Sequence, residues 1–131
     1  MNISSNEKQG SNLKSSEGVM SLVVCSDAHL DWTTHGVSRF AEVACAMDEA
    51  IDKAISLAHT RPTGFLFLGD LSDPEPGSVV YAIQKQLLRM VSALITEQIP
   101  QLWLVGNHDV IEDGERRHTM TMLEAFTMRN D

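Results

Sequence analysis

Three short clusters of polar residues carry the types needed for joint chemistry: Asp27-Ala28-His29, Gly69-Asp70 and Gly106-Asn107-His108-Asp109. Each sits just past an apolar run. Together they gather carboxylates, imidazoles and an amide, a donor set that suits a pair of divalent metal ions. A phosphodiester resists hydrolysis because its charge repels nucleophiles and its leaving group departs as an anion. Two ions roughly 3.5–4 Å apart answer both problems, by activating water and by neutralising phosphoryl oxygens. Such a pair needs a bridging carboxylate and separate ligands for each ion. Asp27 and His29 are alternate residues, so an extended stretch points both to one side. Asp70 follows a glycine at the next strand end, where it can bridge. Asn107 offers an amide oxygen at the third. His108, beside it, is placed to protonate the leaving oxygen or to stabilise phosphoryl charge.

Taken singly, each cluster has an ordinary reading: an Asp after a strand caps a helix or makes a turn, and Gly-Asn starts many turns. Their order along the chain, each at a strand end, is what favours a joint site. The other histidines lack this setting. His59 falls near a helix end and reads as a partly exposed cap, His118 beside Arg116 and Arg117 as part of a solvated loop, and His35 as a loop residue. Trp103 lies in an apolar run and reads as core. Nucleotide binding, the competing α/β reading, lacks its residues: no glycine-rich loop follows the first strand, and no Gly-Lys-Ser/Thr is present.

The elements that position these clusters alternate. Val19 to Cys25 reads as a short buried strand, and Asp27 to Ser38 as a loop. From Phe40 the apolar positions Val43, Ala44, Met47, Ile51, Ala54, Ile55 and Ala58 define one helical stripe, with Glu42, Asp48, Glu49, Asp52 and Lys53 opposite. Pro62 ends it. Phe65 to Leu68 is apolar without alternation, the mark of a strand covered on both faces. Asp73 to Gly77 is a stiff loop. Val80, Ile83, Leu87, Val91, Leu94 and Ile95 form a second helical stripe, which stops at Ile99-Pro100. Leu102 to Val105 reads as a third buried strand, Glu112 to Gly114 as a turn, and Thr119 to Met128 as a short terminal helix. The order β-α-β-α-β implies an α/β fold with a parallel sheet, right-handed crossovers and flanking helices. Ligands of such sheets bind beyond the carboxyl ends of the strands, where all three clusters fall.

Composition sets the bounds. At 131 residues and 43% hydrophobic, the chain fits one small domain with a real core. The net charge of −8 argues against non-specific nucleic-acid binding, which rests on Lys and Arg. Bound divalent cations would offset part of it. No apolar run approaches the roughly 18 residues needed to cross a bilayer, so no membrane partner is expected. Residues 1–18 read as a flexible polar extension without the apolar stretch of a signal peptide. Cys25 and Cys45 fit no zinc or redox spacing and read as reduced, buried thiols of a cytoplasmic protein.

Asp27-x-His29, Gly69-Asp70-x-x-Asp73 and Gly106-Asn107-His108-Asp109 resemble the opening motifs of the calcineurin-like metallophosphoesterases. The resemblance covers about Ser21 to Asp113. Ser26-Asp27-Ala28-His29-Leu30 looks most like the DNA double-strand-break repair exonuclease branch. The resemblance implies that Asp27 and His29 bind one metal, that Asp70 bridges both, and that Asn107 binds the second. It makes His108 the catalytic histidine near the leaving group, paired with Asp73, and makes Asp109 a support for the loop. It also implies two ions, manganese in the nuclease branch and iron or zinc elsewhere.

The same resemblance exposes a departure. Family members add metal-binding histidines from later strands, including a Gly-His-x-His segment, and nothing of the kind follows His108. Residues 19–131 would then be the first half of an αββα sandwich, from a truncated product, a split domain or a partial sequence. The function implied is phosphoester hydrolysis by metal-activated hydroxide, phosphodiesterase or DNA exonuclease-like. The alternatives are a phosphomonoesterase or nucleotide phosphodiesterase, or an inactive metal-binding fragment that binds a partner. Without a second sheet one sheet face is exposed, so self-association or a complementing C-terminal half is expected.

Overall fold

The computed structural model describes residues 18–73, 80–111, 117–118, 120–121 and 123. Strand β1 (Ser21–Cys25) leads through a two-residue-strand hairpin, β2 (Thr33–Thr34) and β3 (Val37–Ser38), into helix α1 (Phe40–Ala58). Strand β4 (Thr63–Phe67), helix α2 (Val80–Thr96) and strand β5 (Gln101–Trp103) follow, and then an antiparallel pair, β6 (Val110–Ile111) with β7 (Arg117–His118). The main sheet has the order β1-β4-β5, with both pairings parallel. This is the α/β architecture expected. The expected turn at Glu112 to Gly114, most of the loop after Asp73, the N-terminal extension and most of the expected terminal helix lie outside the described residues.

The helices form where the apolar period requires. Ala44, Met47, Ile51 and Ala54 of α1 are buried, as are Ile83, Leu87, Met90, Val91 and Leu94 of α2. Both helices pack on one face of the sheet, against Phe65 and Phe67 of β4 and the partly buried Val23, Cys25 and Trp103. The Trp103 ring lies 5.3 Å from that of Phe65 and 5.4 Å from that of Phe67. Gln86 donates to Asp48 at 2.8 Å and Arg89 pairs with Asp48 at 3.0 Å, which ties α2 to α1 at the edge of their contact. Asp48 therefore serves the helix interface, not the open polar face to which its spacing assigned it.

Several sequence expectations change in detail. The stretch after Asp27 is not all loop: His35 and Gly36, both at positive φ, make the tight turn of the β2–β3 hairpin. His118, expected in a loop, falls in β7. Ile95 is exposed at the end of α2, and Cys45 is exposed on α1. Cys25 is half-buried, and burial pushes its thiol above the usual range.

The larger correction concerns the strands. The main sheet is covered on one face only: Leu22 and Val24 of β1, Leu102 of β5 and Leu104 just past it are exposed on the other, beside the partly exposed Leu66 of β4. The register places Leu22 beside Gly64, and Val24, Leu66 and Leu102 side by side, so these residues form one continuous apolar surface. The cause is topological. Strands added in one direction with right-handed crossovers place every helix on the same side of the sheet.

Candidate metal centre

Three chain segments leave the carboxyl ends of β1, β4 and β5 and meet there. The first two stay paired beyond the strands. Asp27 N–H donates to the Gly69 carbonyl at 3.0 Å, His29 N–H to that of Asp70 at 3.1 Å, and Leu30 N–H to that of Leu71 at 2.9 Å. Leu30 and Leu71 are fully buried, so each loop is anchored by one side chain in the core.

The glycines of the second and third clusters explain themselves in the same way. Gly69 has φ of +105°, and a Cβ there would lie 2.7 Å from Cα and N of Gly106. A Cβ on Gly106 would fall 2.1 Å from Oδ1 of Asp70. The two loops therefore touch backbone to backbone, which only glycine permits. Asp109 locks them. Its fully buried carboxylate accepts N–H bonds from Asp70 at 2.9 Å, Ser72 at 3.1 Å and Gly106 at 2.9 Å. Asp70 in turn accepts the His108 N–H at 3.0 Å.

Within this frame Asp27, His29 and Asp70 each bring one ligand atom within 4.8 Å of the others, a group able to hold a metal ion. Asp27 and His29 do not converge by lying in an extended stretch. They stand at φ of 54° and 41°, and Asp70 at 59°, in the left-handed region that non-glycine residues seldom occupy. Three donors held in costly backbone conformations, aimed at one point, fit a cation. So does Nδ1 of His29, which is shut off from solvent without a hydrogen-bond partner. The Ser26 hydroxyl donates to the Asp27 carboxylate.

Asn107 lies exposed on the loop between Gly106 and His108. The His108 ring is 5.2 Å from that of His29, at 75° to it, so it stands next to the donor group without belonging to it. Nδ1 of His108 is 3.4 Å from the Asp73 carboxylate, which gives this imidazole an acidic neighbour away from the cluster. Sequence reasoning passed over two residues here. Both oxygens of Asp31 accept the Asp73 N–H, at 2.8 and 3.0 Å, which fixes the loop that carries the partner of His108. Trp32 stands edge-on to His29, with ring centroids 6.1 Å apart. Nothing in the spacing of Asp31 or Trp32 marks either residue; only their adjacency to the first cluster does.

Residues 20–129 match the family model described as calcineurin-like phosphoesterase. No curated protein matches the chain.

Proposed function

Since the chain belongs to the calcineurin-like phosphoesterase family, a family of metal-dependent phosphoester hydrolases, we propose that Asp27, His29, Asp70 and Asn107 hold two divalent ions and that His108 assists departure of the leaving oxygen. The observation that carries this reading is the convergence of Asp27, His29 and Asp70 within 4.8 Å beside the His108–Asp73 pair. Divalent ions bound there would supply a nucleophile from water near neutral pH and neutralise phosphoryl charge. The protein's own part is positional. Asp70 faces the donor group and also fixes the backbone of His108. Asp73 engages Nδ1 of His108, and the other ring nitrogen would give a proton to a departing alkoxide or hold a hydrogen bond to a phosphoryl oxygen. Asp31 and Asp109 hold the loops that carry these groups.

Manganese is the proposed metal because the resemblance to the nuclease branch implies it, with iron or zinc as alternatives; oxygen and imidazole donors accept all three. The proposed substrate is a phosphodiester, with DNA hydrolysis favoured by the Ser26-Asp27-Ala28-His29-Leu30 stretch. A second reading is a metal-binding module whose uncovered sheet face seats a partner. It is favoured by the exposure of Leu22, Val24, Leu102 and Leu104.

Hydrolysis of bis-p-nitrophenyl phosphate with added manganese, by the native chain beside His108→Ala, tests the first reading. Turnover that disappears in the variant is expected. Absence of turnover in both, with manganese still bound, would support the second.

A further inference from the structure

Trp32 is a large aromatic residue placed at the rim of the donor group and left 57% exposed. Its backbone is held: the backbone N–H donates to the His29 carbonyl at 2.9 Å, and the backbone carbonyl accepts the Arg39 N–H at 3.0 Å, which closes the base of the β2–β3 hairpin. The indole meets the His29 ring at 63°, and the His29 ring meets that of His108 at 75°. The three rings thus run in series, with the indole one imidazole away from the site where a phosphoryl group would be held. An edge contact of this kind uses at most one face of the indole. More than half of the residue's surface is exposed, area on which a planar group can stack.

We propose that Trp32 is a specificity-determining residue that stacks the nucleobase of a nucleotide-type phosphoester whose phosphoryl group lies at the Asp27–His29–Asp70 site. The proposal rests on the phosphoesterase reading and narrows its substrate class. A base is joined to its phosphate through a sugar, so the two ends of a nucleotide match a rim indole and a central cation site. Stacking on an indole tolerates any base, because every base presents a π-face. A tryptophan side chain, with only two rotatable bonds, also loses little conformational freedom on binding. The net charge of −8 limits general attraction of a nucleic-acid backbone, which leaves local contacts such as this one to supply affinity.

The test is binding to the full chain in manganese, by tryptophan fluorescence and calorimetry, with deoxyadenosine 5′-phosphate, 2-deoxyribose 5-phosphate and phosphocholine as ligands. Deoxyadenosine phosphate should quench the fluorescence. Its affinity should fall about tenfold to a hundredfold in Trp32→Ala and recover in Trp32→Phe. Deoxyribose phosphate should bind the native chain and Trp32→Ala equally. Trp32 is exposed, so these variants should keep the native circular dichroism. Equal affinity for the two sugar phosphates in the native chain would overturn the proposal, as would deoxyadenosine phosphate binding that ignores Trp32. A Trp32-dependent affinity for phosphocholine alone would overturn it in favour of a cation over the ring. Hydrolysis of bis-p-nitrophenyl phosphate without any Trp32-dependent base binding would remove this inference and leave the phosphoesterase reading intact. Trp32-dependent base binding without hydrolysis would overturn the proposal as a statement about substrate, since it would leave Trp32 as part of a nucleotide-binding site only.

Discussion

At the scale of single residues, the site divides into groups that face a ligand and groups that hold them. Asp70 does both: its carboxylate belongs to the donor group and also accepts the His108 N–H. Asp70→Asn keeps an acceptor for that bond while removing the charge a cation needs. His108→Asn removes only the imidazole. Calorimetric titration with manganese should show Asp70→Asn losing about tenfold or more in affinity, and His108→Asn much less. Equal losses would mean that His108 is a ligand and not a group reserved for the leaving oxygen. The residue types were legible in the sequence because carboxylate, imidazole and amide at strand ends have few joint uses. The conformations were not. Asp27, His29 and Asp70 adopt left-handed backbone with side chains that give no hint of it. The expected extended geometry at Asp27 and His29 was therefore wrong, although the two side chains still converge. Asp31 and Trp32 escaped notice for a related reason, since their roles come from what lies beside them in space.

At the scale of elements, the helices were readable almost residue by residue. A period of three to four apolar positions survives any tertiary context, and α1 runs over the span that its stripe marks out. The strands were readable as strands, and the lack of a second sheet implied one bare face, although the apolar runs by themselves suggested cover on both. An apolar run carries no information on whether one layer or two will bury it. Crossover handedness decided that, by placing both helices on one side. The loops between these elements depend on two glycines. Gly106→Ala would drive a Cβ into the side chain and backbone of Asp70. The expected result is loss of manganese binding with far-ultraviolet circular dichroism close to native, because the clash lies beyond the ends of β4 and β5 and not within the helices. Retained binding would show that the two loops can separate without harm to the site.

At the scale of the whole molecule, one face of the sheet is finished and the other is not. Leu22, Val24, Leu102 and Leu104 present an apolar surface to water on a chain with net charge −8. Apolar surface drives association, and like charge opposes it. Because the apolar side chains are contiguous across the sheet, association should win as concentration rises. Sedimentation velocity across a concentration series should show a growing average mass, and Leu102→Glu should shift the chain toward monomer. A single monomeric species throughout would mean that the face is protected in solution. No helix among the described residues is long and apolar enough to cross a membrane.

The left-handed backbone at Asp27, His29 and Asp70 has a consequence for how such a chain can change over time. Glycine and asparagine are the residues that this conformation favours. Glycine at any of the three would delete a donor, and asparagine at the two aspartates would delete a charge. Selection for a stable fold and selection for a bound cation therefore pull in opposite directions at the same three codons. A lineage freed from the need for the metal would drift toward a quieter backbone by losing these donors, while Leu30, Leu71 and the helix stripes, which serve only the core, would stay.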